Sequence, residues 1–292
     1  MNQIDIKSNE YPYLLRQIKD PPPILYFKGV WNPDIFTKAL SVVGSRRMSR
    51  YGEIITDSLV SHIAEAGISI VSGFMYGIDA QAHSAAVEAG GRTIAVMPCG
   101  IERIHPEYQV DLYNKILSNN GLVVSEYPGD TPPALWTYPR RNRIIAGLSP
   151  ILLVIEAGVK SGALITAKIA NKYNKKIFAV PGPLTSNVSM GTALLIKDGA
   201  HIVTSSGDIL FEYGTSDPEE LFSKKELYGV NNNQKKILKI LAIEPMGIDE
   251  IARFVGKQVS EIGADITVLS LKKHLTLNDG KYYLVNGAEN VI

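Results

Sequence analysis

The chain has 292 residues, 45% hydrophobic and 20% charged, the profile of an ordinary folded protein and not of a disordered one. Its 30 lysines and arginines against 29 aspartates and glutamates leave a formal charge of +1, so any polyanion must be met by locally clustered charge. The single cysteine, Cys99, excludes an internal disulfide and a multi-cysteine metal site.

The length favours one sizeable domain with a smaller one beside it. The opening residues lack the basic region and apolar core of a signal peptide, and no apolar run approaches a membrane span, so a cytoplasmic protein is expected. Residues 1–40 carry three successive prolines, Pro21 to Pro23, and read as an arm packed on the core, with a short edge strand at 24–27.

From Ser41 onward, short apolar runs alternate with longer amphipathic ones. Strands are expected at 40–43, 69–72, 93–97, 122–125, 151–155, 177–180 and 201–204. Helices are expected between them, at about 51–66, 78–89, 109–118, 161–173 and 191–197. Near-continuous apolar strands fit a parallel sheet covered on both faces, so residues 41–213 read as a doubly wound, mostly parallel α/β domain. Periodicity lapses at 214–232, a linker signature. Residues 233–292 then suggest three small helices and a hairpin turning at Asp279-Gly280, a winged-helix-like domain suited to DNA reading or to protein binding.

The glycine turns all follow expected strands, where open α/β sheets bind ligands. The first runs Gly44-Ser45-Arg46-Arg47 and leads into a helix start with Arg50 beside it. It reads either as an anion seat made by helix N–H groups and guanidinium groups, or as a tight turn with solvated arginines. Gly73 and Gly77 bracket a second turn, where Gly77 permits close backbone approach, Asp79 can cap a helix and His83 packs on the sheet. Nothing near Cys99 would activate a thiolate. The most basic run, Trp136 to Gly147, holds Arg140, Arg141, Asn142 and Arg143 next to aromatics, the mixture that takes single-stranded nucleic acid. Ser161 and Gly162 open a further helix without completing a phosphate loop of the Gly-Lys-Ser/Thr kind. The five histidines lack ligand spacing, and neither a nucleophile elbow nor a carboxylate pair is evident, so binding without catalysis, metal or cofactor is expected.

Seven ordered stretches, VVGSRRMSRYG, SGFMYGIDAQAH, GGRTIAVMPCGI, SEYPGDTPP, YPRRNRIIAGLS, EAGVKSGALITA and VPGPLTSNVSMGTALLIKDGA, together resemble the DprA/Smf family of DNA-processing proteins. The resemblance covers about residues 11–208 and implies an extended Rossmann-like domain that binds single-stranded DNA and forms a homodimer. It further implies loading of a RecA-type recombinase onto strands coated by single-strand-binding protein. By motif, Gly44, Ser45 and Arg46 fall in the implied DNA pocket, with Arg140, Asn142, Arg143, Ser161 and Gly162 at the same face. The stretch Leu194, Leu195, Ile196 and Lys197 matches a region of dimer and recombinase contact. Two departures stand out: the bulky Phe74-Met75 pair, and Glu107 where members often carry a basic residue after proline. The competing expectation is a nucleotide-processing enzyme related to Rossmann phosphoribohydrolases, although their Pro-Gly-Gly-x-Gly-Thr loop is missing.

Overall fold

The computed structural model describes residues 2–215, 231–272 and 274–284. The chain divides into two units, Met1–Thr215 and Ser216–Ile292. The expected linker falls largely on residues outside the described set.

In chain order the first unit opens with β1 (Asn2–Asp5), α1 (Tyr13–Arg16), β2 (Ile24–Lys28) and β3 (Ala39–Val43). It continues with α2 (Arg50–Glu65), β4 (Ser69–Ser72), α3 (Ile78–Glu88) and β5 (Thr93–Val96). Next come α4 (Val110–Ser118), β6 (Leu122–Ser125), α5 (Thr137–Gly147) and β7 (Ile151–Val154). The unit closes with α6 (Gly162–Lys172), β8 (Lys176–Ala179), α7 (Met190–Lys197), β9 (His201–Ile202) and α8 (Gly207–Leu210).

All nine strands join one sheet in the order β1-β2-β6-β5-β4-β3-β7-β8-β9. Strands β3 through β9 pair in parallel, whereas β2 runs antiparallel to both β1 and β6. The fold is the α/β, Rossmann-like, mostly parallel sheet that the strand pattern implies. Alternation along β3 shows why both faces are covered. Ala39 and Val43 enter one core with Leu15, Ile144 and Ala163, while Leu40 and Val42 enter the other with Leu59, Ile63 and Ile78.

Strand β1 and helices α1, α5 and α8 add to the expected elements, and two expected strands differ in place or length. The strand at Ile24–Lys28 is internal, because β1 adds outside it with register Asn2↔Phe27 to Asp5↔Ile24. β1 is short, polar and mostly exposed, so it carries no apolar alternation to read. β9 stops after two residues. There the Asp208 carboxylate accepts the N–H groups of Thr204 (2.7 Å) and Ser205 (3.0 Å), which ends the ladder.

The second unit contains α9 (Asn232–Ile243), α10 (Ile248–Val255), α11 (Val259–Leu271) and the hairpin β10 (Leu275–Asn278) with β11 (Lys281–Leu284). Asn231 and Gln234 cap α9 reciprocally, and α10 ends at the left-handed Gly256. Ile237, Leu241, Ile251, Ile262, Leu269 and Leu275 form its core. Asp279 and Gly280 both take positive φ (47° and 75°), the geometry of a two-residue hairpin turn.

Candidate nucleic-acid interface

From β3 the chain winds outward through β4 and β5, whereas β7 and β8 lie on the other side, so the direction reverses between β3 and β7. Open α/β sheets form their ligand crevice at such a switch point, beyond the strand carboxyl ends. A cleft of about 990 Å³ lies there, lined from the β3 loop by Gly44 to Arg47, from α5 by Tyr138, Arg141 and Asn142, and from the β7–α6 loop by Lys160 to Ala163.

The helix start that follows Gly44 is not open to an outside anion. Ser49 caps α2 by accepting from Gly52 N–H (3.1 Å), and Glu156 accepts from both Ser49 N–H (2.9 Å) and Ser49 Oγ. A Cβ on Gly52 would collide with the Glu156 carboxylate, so the glycine exists to admit it. The phosphate seat expected at that helix is therefore occupied by the protein's own carboxylate, and only the preceding loop faces the cleft. The helix end that stays open is α6. Ser161 Oγ accepts from Ala163 N–H (3.2 Å), its first turn has no acidic residue, and Gly162 has open space around it.

Arg46 is exposed and forms no ion pair among the described residues. Its guanidinium lies over the rings of Tyr138 (5.2 Å) and Tyr76 (5.8 Å). Tyr138 OH is 2.8 Å from His105 Nε2, which fixes the ring that Arg46 covers. Arg47 is also exposed, and its N–H donates to Ser45 Oγ (3.0 Å). Ser45 is itself buried, so its hydroxyl shapes the turn. Gly77 sits at φ +77° where a Cβ would strike Ser45 O and the Arg46 carbonyl, and Ile78 N–H donates to that Ser45 O (3.1 Å). The close approach that Gly77 permits is thus between two loops of the protein.

Helix α5 divides the basic run. At 100° per residue, Tyr138, Arg141, Asn142 and Ile145 share one face and line the cleft, whereas Arg140 and Arg143 fall on the other. Arg141 is buried and donates to Gly73 O and Val96 O, with Asp79 beside it. Burial lowers the Arg141 pKa to about 10, and the Asp79 charge works against that shift. Burial likewise raises the Asp79 carboxyl, opposed chiefly by Arg141. Gly73 leaves room for this pair, since its Cβ would fall 2.5 Å from Asp79 Oδ2. Arg143 pairs with Glu126 (2.6 Å) and Asp20 (3.0 Å), and Arg140 with Glu126 (3.4 Å). The family motif places Arg140, Asn142 and Arg143 at the face of the Gly44 turn, and the basic run adds Arg141. The fold brings Arg141 and Asn142 there and turns Arg140 and Arg143 away.

Tyr76, Tyr138 and Lys160 were missed as site residues. The signal was available: each sits inside a stretch already singled out for its glycines or arginines. Phe74 is fully buried against His83 and Tyr113, so its bulk fills the core. On α7, Leu194 and Lys197 face outward, while Leu195 packs against the core and Ile196 is half-buried. Among the described residues no group of histidine, cysteine or acidic side chains could hold a metal, and no helix is long and apolar enough to cross a membrane.

His83 is buried, and its Nδ1 lies 2.6 Å from Thr93 Oγ1. That hydroxyl already donates to Ile70 O (2.7 Å), so Nδ1–H must be the donor. Burial lowers the His83 pKa from 6.5 to about 3, with Arg141 adding to the effect. The unfolded chain therefore binds the proton first as pH falls, and the stability contributed above 6.5 is lost progressively toward pH 3. Urea midpoints at pH 8 and pH 5 should show the parent losing about 2 kcal/mol more than His83→Gln. Equal losses would mean that His83 does not titrate on unfolding.

The family model described as DNA recombination-mediator protein A matches residues 2–214. The chain belongs to this family. Among its relatives, Protein Smf of Escherichia coli is 35% identical over an alignment covering 99% of this chain and 78% of the relative. DNA processing protein DprA of Bacillus subtilis is 38% identical, covering 73% of this chain and 71% of the relative. The solved DprA structure from Streptococcus pneumoniae superposes with a TM-score of 0.68 at 38% identity, covering 72% of this chain and 74% of that one. DNA processing protein A from Helicobacter pylori, whose structure concerns its single-stranded DNA binding mode, matches with a TM-score of 0.64 at 28% identity, over 73% of this chain and 96% of that one. Membership of the mediator family covers the unit that holds the cleft.

Proposed function

We propose that this chain is a non-catalytic DNA-processing protein that holds single-stranded DNA in the switch-point cleft and promotes loading of a RecA-type recombinase onto strands coated by single-strand-binding protein. The observation that carries the reading is Arg46, an unpaired guanidinium held over two tyrosine rings at the cleft mouth. Aromatic faces stack on bases of any sequence while guanidinium and ammonium groups take phosphates, the combination used for single strands. Arg47, Lys160 and the open start of α6 add positive potential along the same cleft. The Helicobacter pylori relative, with its single-stranded DNA binding mode, supports the same ligand. Among the described residues the only acid lining the cleft is Asp79, a buried carboxyl whose ionised form is favoured by the nearby charge of Arg141. That arrangement favours binding over acid–base turnover.

Homodimer and recombinase contact fits the outward side of α7, where Met190 and Leu194 are each about half exposed beside Lys197. The three helices and hairpin of the second unit fit a winged-helix-like module that contacts a partner.

Fluorescence anisotropy with an oligonucleotide single strand, its duplex and a mononucleotide tests the ligand. Single strands are expected to bind tightest, with log K falling linearly against log salt at roughly 0.7 per phosphate contacted. Binding of the mononucleotide as tight as the strand would overturn the reading. Assembly of recombinase on coated strands, followed by its ATPase rate, should rise when this chain is added.

A further inference from the structure

Of the two arginines that α5 turns away from the cleft, Arg143 is buried and Arg140 is exposed. They line a second pocket of about 930 Å³, walled by the turn after α1, the start of α5 and the carboxyl end of α6. Its charged lining is Lys19, Arg140, Arg143, Lys172 and Lys175 against a single carboxylate, Asp20. Asp20 is already committed, accepting from Tyr173 OH (2.8 Å) and pairing with Arg143 Nε (3.0 Å). Glu126, beside the pocket, meets Arg140 and Arg143 through Oε2, while its buried Oε1 has no hydrogen-bond partner among the described residues.

What remains is positive charge without a counterion. Lys19, Lys172 and Lys175 form no ion pair among the described residues. Arg143 is 6% exposed, yet its Nη1 has no hydrogen-bond partner among the described residues. Burial also holds the Lys175 ammonium below its ordinary range. Like charges gathered around a concave surface repel one another unless an anion joins them, and phosphate offers several acceptors to a buried guanidinium. Pro139 lines both this pocket and the cleft, so the two adjoin across the first turn of α5. A helix is about 10–12 Å across, a span that a few nucleotides of single strand cover.

We propose that the pocket between α1, α5 and the end of α6 is a second anion site, which takes backbone phosphates of the strand as it leaves the cleft. The proposal rests on the single-strand reading above. It makes the bound strand bend over the start of α5, with the aromatic contacts on one side and phosphate contacts only on the other.

The test pairs Lys19→Ala with Lys172→Ala, both exposed, and measures binding of strands of about 5 and about 20 nucleotides, chosen around the ~4–16-nucleotide sites of comparable folds. The long strand should bind roughly tenfold more weakly, with its salt slope reduced by about 1.4 for two lost phosphate contacts. The short strand should be unaffected. A charge-matched control outside the pocket, Lys115→Ala with Lys168→Ala, should leave both strands bound as in the parent. Unchanged long-strand binding, equal loss at both lengths, or equal loss in the control would each overturn the second site while leaving the cleft reading intact. A parent protein that binds neither strand would overturn both.

Discussion

Replacing Arg141 by methionine is expected to remove about 3–5 kcal/mol of stability, the usual penalty for leaving one partner of a buried charge pair alone. Methionine fills much of the same volume, so the loss comes from polar groups more than from a cavity. Gly73 O and Val96 O lose the donor that ties the loop after β4 to the end of β5, and Asp79 loses the guanidinium that opposes its desolvation. Domains of ordinary stability hold only about 5–15 kcal/mol in total, so the loss takes a substantial share of the whole. Urea denaturation followed by circular dichroism measures this directly. Adding Asp79→Asn to the same chain should recover part of the loss, because the stranded carboxylate is then gone. A loss below about 1 kcal/mol would place Arg141 among ordinary surface arginines.

Arg46→Ala should behave in the opposite way. Arg46 is exposed, so the fold should keep its melting temperature within the small range of surface substitutions. Single-strand affinity should fall by about 1–3 kcal/mol, the range for hydrogen bonds to charged groups, which is roughly 5- to 150-fold. Arg46→Lys separates charge from shape. Lysine keeps the attraction for phosphate but loses the planar donor fork and the ring contact with Tyr76 and Tyr138, so it should recover the salt slope more fully than the affinity. Wild-type binding by Arg46→Ala would remove the cleft from consideration as the strand site.

The contrast between these arginines marks how far the sequence can be read. Strands β3 to β8 were legible because apolar runs such as Ser41-Val42-Val43 and Leu152-Leu153-Val154 are bounded by glycine or proline turns. Boundaries of the five expected helices fell within a residue or so, two of them where Ser49 and Ser161 cap, whereas α5 over the basic run was not among the expected helices. The basic run of α5 was legible as a cluster of charge and aromatics but not as two faces. The burial of Arg143 depends on Glu126 and Asp20, and no local pattern announces that residues from β6's end and the loop after α1 will close over it. Glu156 was hidden in the same way. Its partner Ser49 lies 107 positions away, and only folding brings β3 and β7 side by side.

Glu156 has a consequence for which small molecules the fold can accept. Dinucleotide-binding sheets hold the pyrophosphate at the start of the helix after the first strand of the nucleotide-binding unit, using backbone N–H groups and the helix dipole. Here that address already has a tenant, a carboxylate hydrogen-bonded to the cap and admitted by a glycine. A free nucleotide arriving there would meet a negative charge in place of open N–H groups. What is left exposed around the switch point is spread over several loops, a footprint that suits the strand proposed above better than a single pyrophosphate.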